Sequence, residues 1–106
     1  MEVNINGKRV VLRERFPVRE FDHLRREFMA LKSAEDWANK DWREQAKIYS
    51  AFVESWDFDG DPADIESWGG LDTFSEFPAI ESAIAQEIIV GKYEKAKNSE
   101  KGSTTP

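Results

Sequence analysis

Hydrophobic positions along the chain change their period once, close to its start. Val3 and Ile5 alternate with polar residues, and so do Val10 and Leu12. Between them Asn6-Gly7 is the residue pair favoured in a two-residue type I′ turn, where both positions need positive φ. The pattern predicts a β-hairpin within residues 2–15. After Pro17, a residue suited to a first helical turn, Val18, Phe21, Leu24, Phe28 and Leu31 recur every three or four positions. That is one face of an amphipathic helix over about 17–31. Ser33, followed by Asp36, reads as the cap of a second helix over about 34–55. Its apolar stripe is Ala38, Trp42, Ala46, Tyr49, Phe52, Val53 and Trp56, and Lys40, Arg43, Glu44 and Lys47 line its outer side.

The periodicity lapses between Trp56 and Gly70. Gly60 permits a tight turn, Asp61 suits a helix N-cap and Pro62 the position after it. A short helix over 62–68 would end at Gly69-Gly70. Thr73 with Glu76 matches a second capping box ahead of a last helix over about 76–96. Phe77, Ile80, Ile84 and Ile88 form the stripe of that helix, and Tyr93 extends it. Residues 98–106 are polar and expected to be disordered. The reading is therefore one domain over 1–97, mainly α, in which an N-terminal β-hairpin precedes a small bundle of three to four helices. Regular strand is expected nowhere outside residues 2–15.

Composition narrows the chemistry. The 106 residues are 40% hydrophobic and 12% aromatic, enough for a core and against wholesale disorder. No apolar run reaches the roughly 18 residues a membrane span requires, and the start lacks the apolar stretch of a secretion signal. The cytoplasm is the expected compartment. The absence of cysteine excludes disulfides and thiol catalysis, and with a single histidine structural zinc has almost no ligands to draw on. The net charge of −6 is unevenly spread. Residues 1–47 carry eleven basic and nine acidic groups, whereas residues 48–91 carry ten acidic groups and no Lys, Arg or His. No basic footprint for nucleic acid is present. An acidic stretch solvates a surface, and it also favours encounter with a basic partner.

Few residues suggest a reaction. Asp57, Asp59 and Asp61 alternate as in a calcium loop, but counting from Asp57 the sixth and twelfth positions are Pro62 and Trp68. A Gly and a bidentate Glu are required there, so an acidic turn explains the segment better. His23 stands on the polar side of the first helix without a nucleophile to serve. No nucleophile elbow, P-loop or dinucleotide fingerprint occurs, so neither an enzyme nor a cofactor is expected. Trp42 and Trp56 fall on the core stripe. Trp37 and Trp68 fall near element ends, where a half-exposed indole would suit a partner.

One stretch carries a family resemblance. Val53-Glu54-Ser55-Trp56-Asp57-Phe58, then Gly60-Asp61-Pro62, Trp68 and Leu71-Asp72, resembles the junction between the central and last helices of small tail assembly chaperones of long-tailed phages. The resemblance implies a non-enzymatic protein that coats the tape measure protein and brings tail tube subunits to it in the bacterial cytoplasm. It implies no catalytic residues, and it fits self-association. Trp37, Trp68, Asp57, Asp59 and Asp61 are the partner-binding candidates. The alternative reading is an acidic inhibitor whose carboxylates imitate nucleic-acid phosphates.

Overall fold

A computed structural model describes residues 1–33 and 40–96. The predicted hairpin is formed by β1 (Glu2–Ile5) and β2 (Lys8–Leu12), paired antiparallel with Val3 opposite Val10 and Ile5 opposite Lys8. Asn6 and Gly7 both take positive φ, 53° and 78°, as a type I′ turn demands. Ile5, Val10 and Leu12 are buried on the inner face. The first helix, α1, spans Val18–Ser33 and buries Leu24, Phe28 and Leu31. Val18, placed on the stripe by its spacing, is 87% exposed at the start of the helix.

The second helix is where the expected fold fails. Helix α2 runs only over Trp42–Ser50, and Val53–Trp56 forms a third strand, β3. β3 pairs antiparallel with β2, so the sheet has three strands in the order β1-β2-β3. The domain is mixed α/β, not a helical bundle carrying a lone hairpin. The misreading has a specific cause. Trp56 lies opposite Val10, Ser55 opposite Val11 and Val53 opposite Leu12, which leaves Glu54 as the extra residue of a β-bulge. The bulge turns the strand's period of two into a buried-exposed-exposed-buried pattern. Tyr49, Val53 and Trp56 are thereby spaced as a helix would space them. Pairing extends past the strand ends, where the Asp57 N–H donates to the Arg9 carbonyl at 2.9 Å and Arg13 N–H to Phe52 at 2.9 Å.

Caps also differ from expectation. Asp41 caps α2, its carboxylate accepting from the Arg43 N–H at 3.1 Å. Ser33 instead ends α1, and Asp36, Trp37 and Ala38 lie outside the described residues, as do residues 98–106. The expected helix over 62–68 is a 3₁₀ turn over Ile65–Gly70, with Asp64 accepting from the Glu66 N–H. Helix α3 spans Glu76–Ala83 and passes directly into a π-helical segment, Ile84–Glu94. Pro78 falls in the first turn of α3, where a missing N–H breaks no helical bond.

The π-helical segment has a packing reason. A π turn holds about 4.4 residues, so positions four or five apart share a face. Ile84, Ile88 and Ile89 are all buried, and Tyr93 reaches Phe21 of α1 with ring centroids 5.5 Å apart. An α-helix would carry some of these side chains off the core. The remaining core joins the layers through aromatic contacts: Phe28 of α1 meets Tyr49 and Phe52, each at 5.9 Å.

Two expectations for stability follow. Trp68 is 1% exposed and Trp42 only half-buried. Trp68→Ala should therefore cost about 3–5 kcal/mol and Trp42→Ala roughly 1–2 kcal/mol, read by urea denaturation. Gly91→Ala tests the π turn. Alanine ordinarily favours a helix over glycine by about 1 kcal/mol. Here a Cβ would lie 2.8 Å from the Gln86 carbonyl oxygen, five residues back. The substitution should lower the unfolding free energy, and a gain would count against the π-helical backbone.

Candidate interaction face

Trp68 organises the acidic half of the chain. Its ring lies 4.9 Å from Trp56, 6.1 Å from Phe77 and 6.4 Å from Tyr49. Its indole N–H donates to the Pro62 carbonyl at 2.8 Å, and that of Trp56 donates to the Gly60 carbonyl at 2.8 Å. Both buried indoles thus find acceptors in the turn between them, as buried polar groups must. Gly60 holds that turn with φ of 83°, and a Cβ there would collide with the Ser67 side chain. Trp68 is a core residue, so the half-exposed position expected from its place near an element end is corrected.

Asp57, Asp59 and Asp61 ring the same turn and are exposed. Asp57 accepts from the Arg9 N–H at 3.3 Å and lies 3.8 Å from its guanidinium. Asp61 accepts from the Ala63 N–H at 2.9 Å, a local cap. Asp59 lines a shallow acidic pocket of about 500 Å³ together with Lys8, Phe58, Asp64 and Glu66. Among the described residues no group of three His, Asp or Glu side chains converges as a metal ligand set would. His23 is exposed on α1 and lies 3.2 Å from Glu27.

Trp68 also lines a groove of about 600 Å³ with Trp42, Leu71, Phe77 and Pro78, and Gln45, Thr73 and Glu81 belong to the same lining. Glycine at 69 lets the two walls meet: a Cβ there would lie 2.9 Å from Trp42 Cη2. Arg43 lies over the Trp42 ring at 4.5 Å and holds both carboxylate oxygens of Glu66, at 2.9 and 3.1 Å. This clamp ties α2 to the 3₁₀ turn. Glu81 of the lining accepts from the Tyr49 hydroxyl at 2.7 Å and pairs with Lys32 of α1.

A braced turn projects beside the groove. The Asp72 carboxylate accepts from the Phe74 N–H at 3.1 Å, the Ser75 N–H at 2.8 Å and the Ser75 hydroxyl at 2.7 Å. Glu76 accepts from the Asp72 N–H at 2.9 Å, and Asn6 of the hairpin donates to Ser75 and Glu76. The expected Thr73–Glu76 capping box does not form: Ser75 precedes α3 without a side-chain cap bond, and Asp72 braces the turn ahead of it. The turn leaves Phe74 92% exposed. Hydrogen bonds from Ser75, then from the Phe74 N–H, hold the Asp72 carboxyl below its usual range.

Sequence reasoning found Trp42 but placed it in the core, and it missed Phe74 and the groove altogether. The available signal was a phenylalanine just ahead of the last stripe and inside a capping sequence. Tyr49 was read correctly as buried, though not as a hydrogen-bond donor. Burial, followed by its bond to Glu81, pushes the Tyr49 hydroxyl well above the ordinary tyrosine value of about 10. The folded protein therefore holds that proton more tightly than the unfolded chain does. The contribution is intact below about pH 10 and lost as pH rises beyond it. Tyr49→Phe should remove this loss, which denaturation at pH 8 and pH 11 in both proteins would measure. An equal alkaline loss in the variant would assign it to other groups.

No family model, curated protein or solved structure matches this chain.

Proposed function

We propose that this chain is a non-enzymatic tail assembly chaperone that binds a phage tape measure protein and tail tube subunits during tail morphogenesis. One observation carries the reading. The residues in which the chain resembles that family are not scattered over the surface but hold one another. Trp56 bonds to Gly60 and Trp68 to Pro62, their rings are 4.9 Å apart, and Leu71 lines the groove. The segment from Trp56 to Leu71 is thus the frame of an apolar groove, a surface suited to shielding an apolar segment of another protein.

The physical task fits such a surface. A long helical client exposes apolar stripes that aggregate unless covered. A groove of this size contacts only a few turns of helix, so each contact is weak and easily reversed. Many copies along one client would cover it and still yield to tail tube subunits. Self-association fits this arrangement, and the bacterial cytoplasm is the compartment it implies. Among the described residues no helix is long and apolar enough to cross a membrane.

The acidic-inhibitor reading has less behind it. Asp61, Asp64 and Asp72 accept backbone N–H groups in their own turns, and Glu66 and Glu81 are paired with Arg43 and Lys32. These carboxylates build the fold rather than a row of phosphate surrogates.

Co-expression with the tape measure protein encoded in the same genome tests the proposal. The client should move from the insoluble to the soluble fraction and co-purify with this chain. Equal precipitation with and without it would overturn the reading.

A further inference from the structure

We infer that the groove between α2 and α3 receives a basic amphipathic helix, with Phe74 as the rim contact that grips it. The inference rests on the chaperone reading and specifies the chemistry of the segment bound. Three observations support it.

The first is the exposed aromatic. Phe74 is 92% exposed next to Thr73 of the groove lining, on a turn braced by bonds to the Asp72 and Glu76 carboxylates and from the Asn6 amide. An exposed ring on a turn already ordered pays little entropy when a partner covers it. Folding does not require it, since it packs on nothing in the core.

The second is the lining. Trp42, Leu71, Phe77 and Pro78 offer apolar surface open to solvent, which accommodates side chains spaced three and four apart on one helix face.

The third is charge, and it decides the occupant. Glu66 and Glu81 are neutralised by Arg43 and Lys32. Among the described residues, Asp72 and Glu76 are bonded only to neutral donors: backbone N–H groups, the Ser75 hydroxyl and the Asn6 amide. No cation among the described residues pairs with either carboxylate beside Phe74. The whole segment 48–91 adds no base to offset them. A second copy docking through this face would bring Asp72 and Glu76 against their own counterparts, a repulsive arrangement. A helix with lysine or arginine flanking its apolar face gains where a second copy loses.

Designed peptides test this directly. An 18-residue helix with leucines on one face and lysines elsewhere is titrated into the full chain and followed by calorimetry and tryptophan fluorescence. It should bind with micromolar affinity. The same peptide with glutamate for lysine, and one with serine for leucine, should each bind at least tenfold more weakly. Phe74→Asp and Pro78→Asp, both at exposed positions, should each weaken the first peptide at least tenfold without changing the circular dichroism or the urea midpoint. Equal binding of the glutamate peptide, or unchanged binding by both variants, overturns the assignment. So does a dimer of the chain alone that Phe74→Asp dissolves, because the occupant is then a second copy. The two readings fail separately. Tape measure protein retained in full by both variants refutes the groove and leaves the chaperone reading standing. Lysine peptide bound through Phe74, with the tape measure protein ignored, supports the groove and refutes the chaperone reading.

Discussion

The need of the Trp68 indole for an acceptor inside the core shapes the half of the molecule that matters most for function. A buried N–H without a partner costs about 1–3 kcal/mol, comparable with a substantial part of a small domain's stability. The Pro62 carbonyl meets that need, and to do so the chain after β3 must turn back sharply at Gly60. The same turn gives Trp56 its acceptor. Once both indoles are fixed, the 3₁₀ turn lies against α2, Gly69 sits under Trp42, and Phe77 at the head of α3 closes on Trp68. The groove is what remains between these walls. Its shape is set by residues that bind nothing themselves.

Polar contacts then adjust the rims. The Arg43 guanidinium joins α2 to the 3₁₀ turn through Glu66, and Glu81 joins α3 to α1 and α2 through Lys32 and Tyr49. The Arg43–Glu66 pair is largely exposed, so its value is positional more than energetic. The Tyr49–Glu81 bond is more sheltered, with Tyr49 only 1% exposed. It fixes how α3 lies along the core and so where Phe77 and Pro78 stand.

Local chemistry made parts of this legible from the residues alone. Asn6-Gly7 specified its turn because few residue pairs accept positive φ twice. The stripe of α1 was readable because Leu24, Phe28 and Leu31 are spaced for an unbroken α-helix. Where the backbone departs from a regular period, the reading failed in a regular way. The bulge at Glu54 made a strand look helical, and the expected second helix over 34–55 was carried into what is β3. In the last helix the five-residue step from Ile88 to Tyr93 was the visible sign of a π turn, but an α reading absorbed it as an extension. The candidate site suffered for a related reason. Burial of Trp68 depends on which carbonyl its N–H reaches across six residues, and exposure of Phe74 depends on a turn that Asp72 braces ahead of the helix. Both are decided by tertiary geometry that spacing does not encode.

The bulge in β3 has a bearing on how such a sequence changes over generations. Val53 and Trp56 both face inward with Glu54 and Ser55 between them, and only one of those two has a partner across the ladder. A bulge is what a strand shows when it carries one residue more than its neighbour and keeps the contacts on either side. The sheet thus absorbs a change of length within an element, where a one-residue slip would ordinarily invert every side chain beyond it. Lineages related to this chain could therefore differ by a single codon within β3 and still bury the same valine and the same tryptophan.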